Sequence, residues 1–82
     1  MKVKIGGVKT IAIRGEYIKL DSLLKFASVA GTGGEAKHMI AEGGVFVNGA
    51  VTRERGRKVR VGDIVRYGAA VYKIVRGKNN DS

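Results

Sequence analysis

The stretch Ala30-Gly31-Thr32-Gly33-Gly34-Glu35 closes one helix and opens the next, with no linker between them. Upstream, Leu20, Leu23, Leu24 and Ala27 recur at helical spacing, and Phe26 and Ala30 widen the stripe. A helix is therefore expected from Ser22 to about Ala30, with Asp21 as its N-cap. Gly31 is expected to end it in the left-handed conformation. Thr32 and Glu35 then stand at capping-box spacing. Ala36, Met39 and Ile40 supply the apolar stripe of a second helix, which Gly43-Gly44 stop. Two short helices joined this tightly must cross or fold back on each other.

Everything else reads as β structure. Val8 to Arg14 is β-branched and alternating, Gly15-Glu16 is a turn, and Tyr17 to Leu20 is a short extended link. Val45-Phe46-Val47 is a strand. Asn48-Gly49 after it is the strongest two-residue hairpin signal, because a type I′ turn needs positive φ at both places. Ala50 to Thr52 begins the return, and Arg53 to Lys58 is a charged loop. Gly62-Asp63 turns the chain into two further strands, Ile64 to Tyr67 and Ala70 to Val75. The strands at the two ends are expected to pair. The fold class is α+β, with two short helices packed on a small, mostly antiparallel sheet closed by the terminal strands. One domain over residues 8–76 is expected, with a basic lead-in over 1–7 and a polar tail over 77–82.

Composition narrows the function. The chain has 82 residues, so its core is thin and it has little wall for a buried active site. There is no cysteine, which excludes a disulfide scaffold, a thiolate zinc site and a cysteine nucleophile. His38 is the only histidine and is expected at a solvated helix surface. No carboxylate pair, nucleophile with its base, or P-loop spacing is present, so no enzyme activity, metal or cofactor is expected. No apolar run reaches the roughly 20 residues of a membrane span, and "MKVKIGGVK" lacks the apolar stretch of a signal peptide. A cytoplasmic monomer is the expectation.

The formal net charge is +9, which argues about partners rather than fold. Between Arg53 and Arg60 five cations face a single acid, Glu54. Like charges so close repel one another, so an external anion is expected to compensate. Arginine forks match phosphate oxygens, and neutralised phosphates release counterions. The cluster is read as a basic hairpin. The glycine pair at the start of the second helix would let a phosphate approach free N–H groups, or would serve a tight turn that needs positive φ. Tyr17, Tyr67 and Tyr72 are expected in the core or sheet. Phe46 faces away from Val45 and Val47 and is expected to pack on the terminal strands, with stacking on a base as the alternative. With few aromatics to stack bases, a structured nucleic acid is expected over a single strand.

"IKLDSLLKFA", "AKHMIAEGGVFVNG" and "VRVGDIV" occur here in that order. Together they resemble the RNA-binding domain named after small-subunit ribosomal protein S-four, also called the alpha-L motif. Certain pseudouridine synthases, bacterial tyrosyl-tRNA synthetases and a small heat-shock protein that binds stalled large ribosomal subunits carry it. The resemblance spans residues 18–65. The Arg55-Gly56-Arg57-Lys58 run is similar to short stand-alone, ribosome-associated members. Many members place Ser and Arg where this chain has Thr32, Gly33 and Gly34, so the contact implied there is through the backbone. The resemblance also implies that Lys37 faces RNA. The RNA-binding candidates are thus Lys19, Thr32, Gly33, Gly34, Lys37, Asn48, Arg53, Arg55, Arg57, Lys58 and Arg60. Asn48 has a sufficient role in its turn. The implied partner is structured RNA, with ribosomal RNA and the ribosome or its precursors foremost. Two rival readings are a small basic β-barrel that binds DNA or single strands, and a module that docks on an acidic protein.

Overall fold

A computed structural model of the protein describes residues 8–77. The expected basic lead-in over 1–7 and the tail beyond Gly77 lie outside the described residues. The elements are β1 (Val8–Ile13), β2 (Ile18–Lys19), α1 (Leu20–Phe26), α2 (Gly33–Ala41), β3 (Val45–Val47), β4 (Ala50–Val51), β5 (Lys58–Val59), β6 (Ile64–Tyr67) and β7 (Ala70–Arg76). Five strands form one sheet in the order β1-β7-β6-β3-β4, and β2 pairs with β5 in a separate two-stranded ribbon. The terminal strands do pair: β1 runs parallel to β7, while every other pairing is antiparallel. The α+β class follows. The sheet is open, with β1 and β4 at its edges, so the small-barrel reading is set aside.

Alternation decides which side of the sheet is buried. Val45, Val47, Val65, Tyr72, Ile74, Ile11 and Ile13 point to one face and meet Leu20, Leu23 and Leu24 of α1 and Ala36, Met39 and Ile40 of α2. Each fully buried Leu, Ile or Val contributes about 1.5–3 kcal/mol of transfer free energy. For a chain this short that seam is most of the stabilisation.

The Asn-Gly and Gly-Asp motifs are physically coupled. Asn48 and Gly49 take φ of 53° and 85°, as a type I′ turn requires. The Asn48 side chain then reaches the other turn. Its Nδ2 donates to Asp63 Oδ1 at 3.1 Å, and its Oδ1 accepts from the Ile64 N–H at 2.9 Å. The second Asp63 oxygen accepts from the Arg60 N–H at 2.9 Å. One amide and one carboxylate therefore fix β3 to β6 and hold the chain that leaves β5.

The first helix departs from the sequence expectation at both ends. It begins at Leu20, with Lys19 at the N-cap position and no side-chain cap. Asp21 lies in the first turn and accepts only from the adjacent Ser22 N–H, at 2.7 Å. Backbone carbonyls from the charged loop do the capping instead: Leu20 N–H donates to Arg57 O at 2.9 Å and Asp21 N–H to Arg55 O at 3.1 Å. At the other end the helix stops at Phe26, because Ser28 rather than Gly31 adopts the left-handed conformation, with φ of 63°. Val29 and Ala30 both donate back to Leu24 O, which makes the Ala27–Ala30 run a compact turn rather than a last helical turn. Phe26 is consequently not part of the core stripe and is 64% exposed.

Candidate nucleic-acid interface

The cation cluster sits on a loop between β4 and β5, and then on β5 itself. It is not the tip of a hairpin, as the sequence suggested. The Asn-Gly hairpin ends after Val51, and β5 pairs with β2, far back in the chain. The loop turns on itself through Arg57 N–H to Glu54 O at 3.1 Å. Its carbonyls at 55 and 57 are pinned to the start of α1. A pinned backbone with outward side chains presents charge from a fixed frame. Arg55, Lys58 and Arg60 are exposed and Arg57 is half-buried, its Nε reaching Lys58 O at 3.4 Å.

The ribbon adds a cation. Lys19 lies opposite Lys58 in the β2–β5 register. Like charges directly across a strand pair destabilise it. Neither lysine has a carboxylate partner among the described residues, where the one basic–acidic side-chain contact is His38 Nε2 to Glu42 Oε2, at 3.0 Å. Tyr17 precedes this ribbon. Lys58 Nζ stands over its ring, 5.1 Å from the centroid, and the Arg60 guanidinium carbon at 6.0 Å. The expectation that Tyr17 belongs to the core is therefore wrong: it is 40% exposed and forms a shelf for two cations. Tyr72 is buried and Tyr67 half-buried, as expected.

Arg53 lies elsewhere. A Cβ built on Gly43 would come within 2.6 Å of the Arg53 guanidinium, so that side chain lies against the C-terminal end of α2. A cation there complements the negative end of the helix dipole. Asn48 is committed to the Asp63 clamp described above.

At the other end of α2, Thr32 caps as expected, its Oγ1 accepting from Glu35 N–H at 3.1 Å. Glu35 reaches back one residue further than a standard capping box and accepts from Gly31 N–H at 2.6 Å. Gly33 and Gly34 are the first two helical residues and have ordinary negative φ. The tight-turn explanation for them is thus removed. Among the described residues nothing accepts from their N–H groups. Lys25 Nζ lies 3.9 Å from where a Gly33 Cβ would be. A cation beside the positive end of a helix is unfavourable unless an anion joins them. Lys37 is exposed on the same helix. The start of α1 differs, since loop carbonyls already occupy it.

Two cationic stations thus emerge, the loop with its ribbon and the start of α2. The short α1, about two turns and about 10 Å long, separates them. Sequence reasoning missed Tyr17 and Lys25. The alternation around Tyr17 looked like strand, and Lys25 became relevant only when α1 ended early. Arg66, over the Phe46 ring at 4.4 Å, and Arg76, bonded to the carbonyls of Arg14 and Gly15 at 3.3 Å each, have partners within the fold. No group of three or more His, Asp or Glu side chains capable of holding a metal occurs among the described residues. No helix there is long and apolar enough to cross a membrane.

The S4 domain family model matches residues 11–75, which extends the likeness from the 18–65 motif to the paired terminal strands. A relative from Bacillus subtilis (strain 168), named "Probable ribosome maturation protein RlbA", is 46% identical over 55 residues, covering 67% of this chain and 78% of its own length. With the helix pair, the Asn48–Asp63 clamp and the cationic loop in place, the chain belongs to the S4 domain family of RNA-binding modules.

Proposed function

We propose that this protein binds structured ribosomal RNA during ribosome maturation, gripping phosphates with the Arg55–Arg60 loop, Lys19 and the N-terminus of α2. The observation that carries the reading is Lys19 facing Lys58 across the β2–β5 ribbon, beside the arginine loop and without a carboxylate partner among the described residues. Such an arrangement is destabilising alone and favourable once phosphates intervene. The relative's name, a ribosome maturation protein, supports the ribosomal address. On this reading the chain is a cytoplasmic monomer that binds and positions, with no catalytic step. Backbone-directed contacts of this kind fix register on a duplex and do not by themselves select a sequence.

Sequencing the RNA crosslinked to the protein in growing cells tests the proposal. Enrichment of one structured site in ribosomal RNA is the expected result. Enrichment of no RNA would overturn it in favour of docking on an acidic protein.

A further inference from the structure

Beside the cation cluster lies an open groove of about 240 Å³. Ala12, Ile13 and Ile18 contribute apolar lining, Arg14 a cation, and Tyr17 and Phe26 their rings. Two exposed aromatics share this one depression, where the sequence had suggested few available for stacking. The rim is held firmly. Arg76 Nη1 donates to the carbonyls of Arg14 and Gly15, and Gly77 N–H donates to Ile13 O at 2.7 Å. Tyr17 belongs to both features, because Lys58 and Arg60 stand over the ring that also lines the groove. Phe26 is the last residue of α1, and the Nζ of its neighbour Lys25 lies 3.9 Å from where a Gly33 Cβ would be. The groove therefore adjoins the cationic loop and ribbon through Tyr17.

We infer that this groove takes one unpaired nucleobase of the bound RNA, stacked on Phe26 and Tyr17, with its flanking phosphates on Lys58 and Arg60. The inference rests on the RNA-binding reading above and adds to it the feature of the RNA that is recognised: a bulged or junction nucleotide next to a stem. Charge decides the occupant. An apolar protein side chain would fit the groove walls but would leave Arg14, Lys58 and Arg60 facing no anion, whereas each nucleotide brings a base and a phosphate together. The volume of about 240 Å³ has room for one base. Stacking on aromatic rings tolerates any base identity, so the groove would select the unpaired state rather than a sequence.

The test is a titration of the whole protein with adenosine 5′-monophosphate, followed by NMR of the aromatic side chains. Inorganic phosphate and N-acetylphenylalanine amide serve as comparison probes. The expected result is ring-current shifts at Phe26 and Tyr17 with the nucleotide and none at those rings with phosphate. Phe26→Ala should weaken nucleotide binding roughly tenfold. Phe26 is exposed, so this variant keeps its fold. Identical responses to nucleotide and phosphate, confined to the loop, would overturn the inference. So would rings that answer only the phenylalanine amide, which would assign the groove to a protein side chain. The two readings fail separately. If Arg55→Ala/Arg57→Ala/Lys58→Ala loses RNA while Phe26→Ala keeps full affinity for nucleotide and RNA, only the base groove is wrong. If the triple variant keeps full RNA affinity, the interface itself is wrong.

Discussion

The Arg57 carbonyl accepts a hydrogen bond from the Leu20 N–H at 2.9 Å, and so the cationic loop caps the first helix of the core. Loop geometry and helix start are therefore one structural unit. The backbone of the loop serves the fold while its side chains remain outside it. This division makes it possible to remove charge without removing structure.

The triple variant Arg55→Ala/Arg57→Ala/Lys58→Ala should fold with nearly wild-type stability, since the loop caps α1 through backbone carbonyls that alanine retains, and changes confined to surface side chains stay within about 0.5 kcal/mol. Its RNA affinity should fall by an order of magnitude or more. The slope of log affinity against log salt should become shallower by about 2 to 3, at about 0.7–0.9 for each phosphate that the variant no longer neutralises. Thermal unfolding and binding across a salt series measure both. An unchanged slope would mean the loop does not touch phosphate.

Gly34 has an ordinary helical φ and open space for a Cβ, whose nearest neighbour is Thr32 Oγ1 at 3.9 Å. Gly34→Glu should therefore fold, and an acid in the first turn should stabilise α2 by about 0.3–1 kcal/mol. The same acid occupies the place of a phosphate, so RNA binding should weaken. A variant that is more stable and binds less well is the expected pair of outcomes. Loss of stability with unchanged binding per folded molecule would assign Gly34 to the fold.

Asn48→Ala should behave in the opposite way. It removes both arms of the clamp to Asp63 and Ile64 and leaves a non-glycine residue at φ 53° without a side chain suited to it. A loss of about 1–3 kcal/mol is expected in chemical denaturation. RNA affinity of the folded fraction should stay within about twofold, because the amide is already engaged inside the protein.

Gly43→Ala tests the placement of Arg53. Gly43 takes φ of 81°, and an added Cβ would meet the Arg53 guanidinium at 2.6 Å. Loss of about 1 kcal/mol or more is expected from strain and displacement together. Adding Arg53→Ala should recover the steric part only. Recovery of full stability in the double variant would mean that backbone strain contributes nothing at this position.

Local rules carried much of this fold. Asn48-Gly49 and Gly62-Asp63 announced their turns, and Thr32 with Glu35 announced the start of α2. The alternation in Val8–Ile13 and Ala70–Val75 marked the terminal strands. Tertiary contacts overrode local rules at α1. Asp21 is a good capping residue, but the carbonyls of Arg55 and Arg57 reached the first N–H groups instead. No periodicity could show that, because those residues lie far along the chain from the helix they cap. The same long-range pairing, β2 with β5, turned a supposed hairpin into a loop and ribbon and brought Lys19 opposite Lys58. Phe26 looked like core because its spacing assumed a helix running to Ala30. Ser28, in the left-handed conformation, ended that helix and left the ring exposed.

The proposed function puts phosphates on the Arg55–Arg60 loop and at the start of α2, and mapping the peptides crosslinked to RNA in cells tests that proposal most directly. Attachment within residues 32–37 and 55–60 is the expected result. Attachment confined to the outer face of the five-stranded sheet, at Lys73 or Arg66, would contradict it.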